Sequence, residues 1–568
     1  MKRLQRAAAL LTAGILMLGI LSGCAEDPPP APTTAVPEEL SVCLGSAPSS
    51  LDPIRTTQAR DMTVLCHLYE NLLTLTTDES GAVVTAPGAA ESWESVKNAD
   101  GSVTYTFHLR DAKWSDGVPL LSRDFVYAWQ RLANPVSKSP HSRLLSIVKG
   151  YDELQATGDV SALQVAAPNN TTFEVTVTGA FDWFLTDVCT SAAAMPLREA
   201  LVQELKDAAI QKNQEDAANG LPMTAGWATD YTKLMGNGPY QITAFDEQGL
   251  VLERNAFYSG NEDGPERIRV VYADTAEDGW ALYAAGTVDV LAEVPSFRLA
   301  ELAQSPDWSP LPTLTTCLLL FNTEQAPLDD PLVRQALFLS VSRSALSEAA
   351  GTALTAASGL VPFGVSDPED VDFRTHGGAL IPCDAENEAA SILKAPELLN
   401  QAGYDEITPL PALPLLYPDT ERHAATARLL AEQWSDNLGV TVIPTAVTEE
   451  ELETALADRA YSLALTDYTG YANDAQAFLD GWTSDSETNV VGYSNSAFDT
   501  LLAVIASASD DQARRGCLHD AESLLLKSTP LSPLYFLTTD FALREDLLNV
   551  TRSAAGVFRF ADVCRLLP

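Results

Sequence analysis

Residues 103–129, VTYTFHLRDAKWSDGVPLLSRDFVYAW, decide how this chain is read. Val103 to Leu109 alternates apolar and polar side chains, the period of a half-buried strand. Lys113-Trp114-Ser115-Asp116-Gly117 makes the turn that follows. Ser122 is placed to cap a helix from Arg123 to about Leu132, which Asn134-Pro135 ends. Trp114, Phe125, Tyr127 and Trp129 fall at strand and helix spacings typical of core packing.

The same mixture continues on both sides. Leu40 to Leu44 alternates like a strand, and Gly45 to Pro53 breaks it. Leu197 to Ala218 forms an amphipathic helix with Leu197, Leu201 and Leu205 on one face, stopped by Asn219-Gly220. Asp330-Pro331 opens a helix expected to run through Arg343, with Pro331 at its first position. Thr420 to Leu438 is a further helix, with Ala427, Leu430, Trp434 and Leu438 on one stripe. Gly439 ends it, and Val440 to Ile443 follows as a strand. Strands and helices mix throughout without a fixed repeat, so the class is α/β or α+β with several lobes. The 568 residues, 46% hydrophobic, suit two to four such units with a substantial core.

The N-terminus carries an address. Lys2, Arg3 and Arg6 precede the apolar run Ala7 to Leu21, which Ser22-Gly23-Cys24 closes. A basic start, a short apolar core and small residues at the cut describe a secretory signal. The run is shorter than the ~20 apolar residues of a membrane-spanning helix. Leu21-Ser22-Gly23-Cys24 resembles a bacterial lipobox. By that resemblance, cleavage removes residues 1–23 and Cys24 becomes the lipidated first residue. Two acyl chains anchor stably where one does not. Residues 25–39, rich in proline and acid, read as a solvated, disordered stalk.

Losing three cations with the leader takes the formal charge from −42 to −45. Such a surface repels nucleic acid and anionic headgroups. Seven cysteines follow Cys24: Cys43, Cys66, Cys189, Cys317, Cys383, Cys517 and Cys564. They contain no CxxC, so neither zinc nor a thioredoxin motif is indicated. Their odd number leaves at least one thiol unpaired within the chain. The six histidines are scattered without ligand spacing, and neither HExxH nor GxSxG occurs. An extracellular hydrolase is therefore disfavoured.

Five blocks now point to a family. They are Ser50-Leu51-Asp52-Pro53 with Leu68-Tyr69-Glu70-Asn71-Leu72-Leu73; Ala90-Glu91-Ser92-Trp93; the opening stretch; Asn237-Gly238-Pro239-Tyr240; and Pro331-Leu332-Val333-Arg334-Gln335-Ala336-Leu337. In this order they resemble the oligopeptide-binding proteins, extracellular solute-binding subunits of ABC importers, over nearly all of residues 40–568. The resemblance implies a two-lobed periplasmic-binding-protein-like α/β fold of type II, with a two-stranded hinge and an additional domain. Lobe one would take 40–82, 196–314 and 533–568; the extra domain 83–195; lobe two 315–532. It also implies a monomer without cofactor or metal. A peptide would be held between the lobes by its main chain, with charged groups at its ends. Closure would follow a hinge motion that permease subunits could sense. The protein would sit on the extracytoplasmic face of the membrane, in a Gram-positive cell plan, or in the periplasm of a Gram-negative one.

The candidate ligand residues come from the same resemblance, and several depart from the family pattern. Asn237 and Gly238 match a ligand-touching loop, Glu70 a pocket-facing acid, and His141 a cleft-lining segment. His423 matches a histidine associated with the ligand carboxyl end. The aspartate that usually takes the peptide α-amine is replaced by Tyr471, and the tryptophan of that run by Tyr468. Two arginines of the carboxyl end correspond to Leu456 and Leu465, and a pocket tryptophan to Glu449. Tyrosine carries no charge at neutral pH and leucine makes no hydrogen bond through its side chain. Asp467 and Asp474, close by, are the alternative carboxylates. Rearranged peptide clamps, longer peptides with protruding ends, a non-peptide solute, and peptide sensing without transport all remain open on the sequence.

Overall fold

The computed structural model describes residues 33–48, 50–78, 83–181, 183–260, 263–351, 353–367, 371–405, 407–507 and 511–567. Cys24, the leader and the first part of the stalk lie outside them. No helix among the described residues is long and apolar enough to cross a membrane.

An eleven-stranded mixed sheet organises the molecule. Its central pair is Trp308–Phe321 and Leu531–Leu543, two unusually long antiparallel strands. At one end Thr315–Phe321 pairs with Leu463–Thr469, beyond which Leu413–Pro418 and Val442–Val447 continue in parallel. At the other end Ala542–Leu543 pairs with Val290–Leu291, which leads through Glu39–Gly45 and Arg267–Tyr272 to the hairpin Tyr240–Asp246/Gly249–Arg254. The long pair slips register between Pro312 and Thr316. That is where its neighbours change from one side of the molecule to the other. We propose the expected boundaries at 314/315 and 532/533 as the division between lobes, on the support of this pairing.

Burial follows strand alternation. Cys317, Leu319 and Phe321 point into a core beneath the helix Glu421–Leu438, where Ala427, Leu430 and Trp434 are buried. Leu314, Leu318 and Leu320 point into the larger core on the other face. Both faces of this strand are covered, which explains its run of apolar residues.

The opening stretch folds nearly as expected. The strand is Val103–Leu109, in a four-stranded antiparallel sheet with Ala90–Lys97, Thr172–Val177 and Val165–Asn169. The helix Ser122–Ala133 lays Phe125 and Trp129 on Phe173, at ring distances of 5.8 and 5.1 Å. Trp114, Phe125 and Trp129 are fully buried, and Tyr127 packs partly buried against the same core. Ser122 is not the cap. Leu121 holds that position, its N–H donating to Asp124 at 2.9 Å, while the Ser122 hydroxyl donates to the Asn169 carbonyl.

Four further expectations are corrected. The helix from Pro331 stops at Leu339, and a second runs from Arg343 to Ala350. Glu388 pins the break by accepting from the N–H groups of Arg343 and Ser344, at 2.8 and 3.0 Å. The helix expected from Leu197 starts at Glu199, and the strand expected at Val440 starts at Val442. The stalk is not free along its whole length: Thr34–Ala35 pairs with Arg565–Leu566, and Glu39 lies in the main sheet, bonded to Arg269 at 2.9 Å. The seven cysteines are free thiols.

The diagnostic Leu51-Asp52-Pro53 segment ties the extra domain to lobe one. Asp52 takes both arms of Arg131, at 2.7 and 2.5 Å, and the Trp227 indole N–H at 2.8 Å. Asp52 is 6% exposed. Asp52→Ala would leave a largely but not fully buried guanidinium unpaired, a loss of about 3 kcal/mol, the low end for a buried pair. Urea unfolding should show a fall of that size, with Asp52→Glu recovering part of it.

Candidate functional site

A cavity of about 940 Å³ opens where the register of the long strands slips. Thr313, Leu314, Thr315 and Thr539 of those strands contribute to it. Lobe one adds Tyr69 to Asn71 and the C-terminal segments Thr551–Ala555 and Val557–Arg559. The extra domain adds His141, Leu144 and Asp187; lobe two adds Ser366 and Thr469–Asn473. Its size falls within the range of roughly 300–1,000 Å³ common for small-ligand sites.

The flanks touch across it. Arg143 of the extra domain pairs with Asp480 of lobe two at 2.8 Å and lies 5.0 Å over the Tyr471 ring. Trp183 meets the same ring edge-on at 6.1 Å. The Asn473 N–H donates to Asp187 at 2.9 Å.

The structure brings together only some of the expected residues. Glu70, His141 and Tyr471 line the cavity. Glu70 does so already neutralised: it bonds Arg110 at 2.6 Å and accepts from Tyr258 at 2.5 Å. His141 points Nε2 at the Thr56 carbonyl, 2.6 Å away. Burial lowers its pKa and outweighs that bond, so its imidazole is neutral at pH 7. Tyr471 donates to Asp480 at 2.7 Å. Burial and then the Asp480 charge push its pKa well above the ordinary range, so it stays a neutral latch between the flanks.

The others lie away from the cavity. Asn237 is buried beneath Glu70, accepting from its N–H at 3.1 Å and donating to its carbonyl at 2.8 Å. Gly238 packs on the same helix end, its N–H donating to the Leu68 carbonyl at 2.8 Å. A Cβ there would meet Leu68 backbone at 2.7 Å. Both brace the wall from behind. His423 is buried at the start of its helix, with Nδ1 2.9 Å from the Thr420 hydroxyl. Glu449 is exposed in the first turn of Glu449–Ala457. Tyr468 packs against Trp482 at 5.1 Å, Leu465 is in the core, and Leu456 packs partly buried. The two alternative carboxylates are spent: Asp467 on Arg422, and Asp474 on both arms of Arg514 at 2.9 and 2.8 Å.

What the sequence did not single out is Asp187. It sits in a one-turn π-helix, Phe184–Val188, where the Cys189 N–H reaches back to Phe184. Such turns are frequent at functional sites. Its carboxylate accepts from Asn473 and from the Thr186 hydroxyl, at 2.9 and 2.7 Å, and pairs with no cation among the described residues. Burial pushes its pKa up to about 6, more than those two hydrogen bonds offset, with Asp474 adding to the rise. An acid inside the apolar run Trp183–Cys189 was the available signal. Arg552 faces the same cavity; it donates to the Ser309 carbonyl at 3.3 Å and pairs with no carboxylate among the described residues.

Comparison with known proteins places the chain in a family. The model for bacterial extracellular solute-binding proteins, family 5, matches residues 85–490. The chain belongs to that family, whose members bind solutes rather than catalyse reactions, and its two-lobed α/β fold is the family's. It is 27% identical over 551 residues to the periplasmic murein peptide-binding protein MppA of Escherichia coli, covering 94% of each chain. It is 28% identical over 497 residues to a probable deoxycholate-binding periplasmic protein, YgiS, of the same organism, covering 86% of each. Among solved structures, Haemophilus influenzae OppA in complex with RPPGFSPFR superposes with a TM-score of 0.72 at 25% identity, covering 94% of this chain and all of that one.

Arg143→Ala removes the ion pair and the ring contact that join the flanks. Arg143 is 39% exposed, so solvent screens the pair and about 1 kcal/mol is expected. That converts to roughly a fivefold shift towards an open form. Small-angle scattering of the ligand-free variant should give a larger radius of gyration than the parent, and saturating ligand should restore it.

Proposed function

We propose that the protein captures short peptides between its lobes as the solute-binding subunit of an ABC importer. In this reading Cys24 carries the lipid that tethers it to the extracytoplasmic face of the membrane. One observation carries the ligand assignment. A single cavity joins Asp187, a carboxylate with no cation partner among the described residues, to Arg552, a guanidinium with no carboxylate partner among them. A free peptide brings one ammonium and one carboxylate, and the cost of burying either unpaired is high. Asp187 takes the ammonium in place of the aspartate that Tyr471 replaces, while Arg552 takes the far end. The peptide-binding names of MppA and OppA support the ligand class. The name of YgiS supports a second reading, an apolar anion held by Arg552 alone.

A thermal-shift screen of the purified protein against peptide pools graded by length, with deoxycholate beside them, tests both. A ligand at 100 times its Kd adds about 2.7 kcal/mol to stability. Peptides of a few residues should shift the melting temperature. A shift with deoxycholate and with no peptide would overturn the assignment.

The site also has a pH signature. Asp187 holds its proton up to about pH 6 in the ligand-free protein. An ammonium binds the ionised form, so affinity falls by up to tenfold per unit below that pH and levels off above it until the peptide's own amine deprotonates at about pH 8. Asp187→Asn should weaken free-amine peptides about 10–100-fold, or roughly 1.4–2.7 kcal/mol, and flatten the profile. N-acetylated peptides should bind parent and variant alike. Calorimetric titration across pH 5 to 8 reads all three.

A further inference from the structure

Asp367, His376 and His519 meet in lobe two, and none of the three lines the cavity just described. The three lie far apart in the chain, which is why their spacing shows no ligand pattern. Asp367 Oδ2 is 2.8 Å from His376 Nδ1 and 3.2 Å from His519 Nε2. All three candidate donor atoms fall within 4.8 Å of one another. One carboxylate oxygen thus faces two imidazole nitrogens, and the other, Oδ1, has no hydrogen-bond partner among the described residues. The Asp367 side chain has no exposed surface. A buried carboxylate with an oxygen left unsatisfied is costly unless a cation completes it.

We propose that these three residues bind a divalent transition-metal ion of the zinc or nickel type. Two imidazoles and a carboxylate are a standard borderline donor set. Around an ion with bonds of roughly 2.0–2.2 Å, donor atoms stand about 3.3–3.6 Å apart. The two separations from Asp367 Oδ2 need only a small outward movement to reach this. The donors are held from outside: His519 stacks on Phe373 at 4.0 Å, nearly parallel, and His376 sits in the last turn of the helix Phe373–Gly377. Arg374 of that helix is bonded to the buried Glu522, one helical turn from His519 on Asp511–Ser528. The side facing solvent is open, since the His376 side chain is 42% exposed and that of His519 22%. Water could complete the coordination there. The opposing charge is Arg515, whose Nη1 is 3.4 Å from His376 Nδ1. It must swing out when the ion enters, so it sets a ceiling on affinity. The neighbouring Ser366 lines the ligand cavity and donates to Asn473 at 3.0 Å, so the ion would stiffen one edge of that cavity.

The test is calorimetric titration of the full chain, prepared without a polyhistidine tag, with Zn²⁺, Ni²⁺ and Mn²⁺. One equivalent of Zn²⁺ or Ni²⁺ should bind, and Mn²⁺ more weakly. His376→Ala and His519→Ala should each weaken Zn²⁺ at least tenfold with an unchanged circular dichroism spectrum. Arg515→Gln should tighten it several-fold. Co²⁺ absorption on the parent protein gives an answer that does not depend on variants folding: a nitrogen–oxygen set shows no thiolate-to-metal charge-transfer band. Absence of binding at millimolar ion, unaltered binding in the two histidine variants, or a thiolate band from Cys317 or another cysteine would each overturn the proposal.

Discussion

The continuity of two strands constrains everything else here. Trp308–Phe321 and Leu531–Leu543 belong to both halves of one sheet, so neither half can shift without bending them. They bend most cheaply where their ladder is already interrupted, between Pro312 and Thr316, with a smaller register shift following between Cys317 and Leu318. Proline at 310 and 312 removes donors from the pairing on that side. Outside these two shifts the register of the pair runs on without a break. The cavity opens at that interruption, where Thr313, Leu314 and Thr315 line it while the Thr313 hydroxyl bonds the Leu537 carbonyl at 3.0 Å and the Thr315 hydroxyl bonds that of Thr469 at 2.9 Å. A ligand bound at the slip contacts the strands and both flanks at once, so its binding energy acts directly on their relative position.

Much of this architecture was legible because it rests on local periodicity. Val103–Leu109 alternates and is a strand over the same residues; Thr420 caps a helix that ends at Gly439, where φ is +67°. The failures share one cause, a partner distant in sequence. Nothing near Leu339 announces that Glu388 will pull Arg343 and Ser344 into a new helix start. Ser122 satisfies every local rule for a cap, yet the strand loop at Asn169 claims its hydroxyl. The end of the stalk looks too polar to fold, but the C-terminal strand offers it an edge.

The ligand residues were harder for a related reason. Matching positions to a family carries over where a backbone goes, not what a side chain is paired with. Asp467 and Asp474 stand where a carboxylate was wanted, but each has acquired its own arginine, Arg422 and Arg514. Glu70 has acquired Arg110. In a chain with 77 acidic and 35 basic residues, a cation is the scarce partner. The informative carboxylate is therefore the desolvated one left without an arginine. By that criterion Asp187 stands apart from its neighbours, and from the extra domain it is bonded to Asn473 of lobe two.

The same accounting separates the two clusters in which histidine and carboxylate meet. Cys317, His423 and Asp467 are as close together as Asp367, His376 and His519. In the first, Arg422 binds Asp467 from within and also contacts Tyr535, so the positive charge a metal would supply is already present. Displacing a partly buried guanidinium with two oxygen partners would cost more than a new bond to His423 returns. In the second cluster the arginine stands at the rim and touches an imidazole rather than the carboxylate. What decides between these sites is the position of the arginine, since the donor atoms of each lie within 4.8 Å of one another.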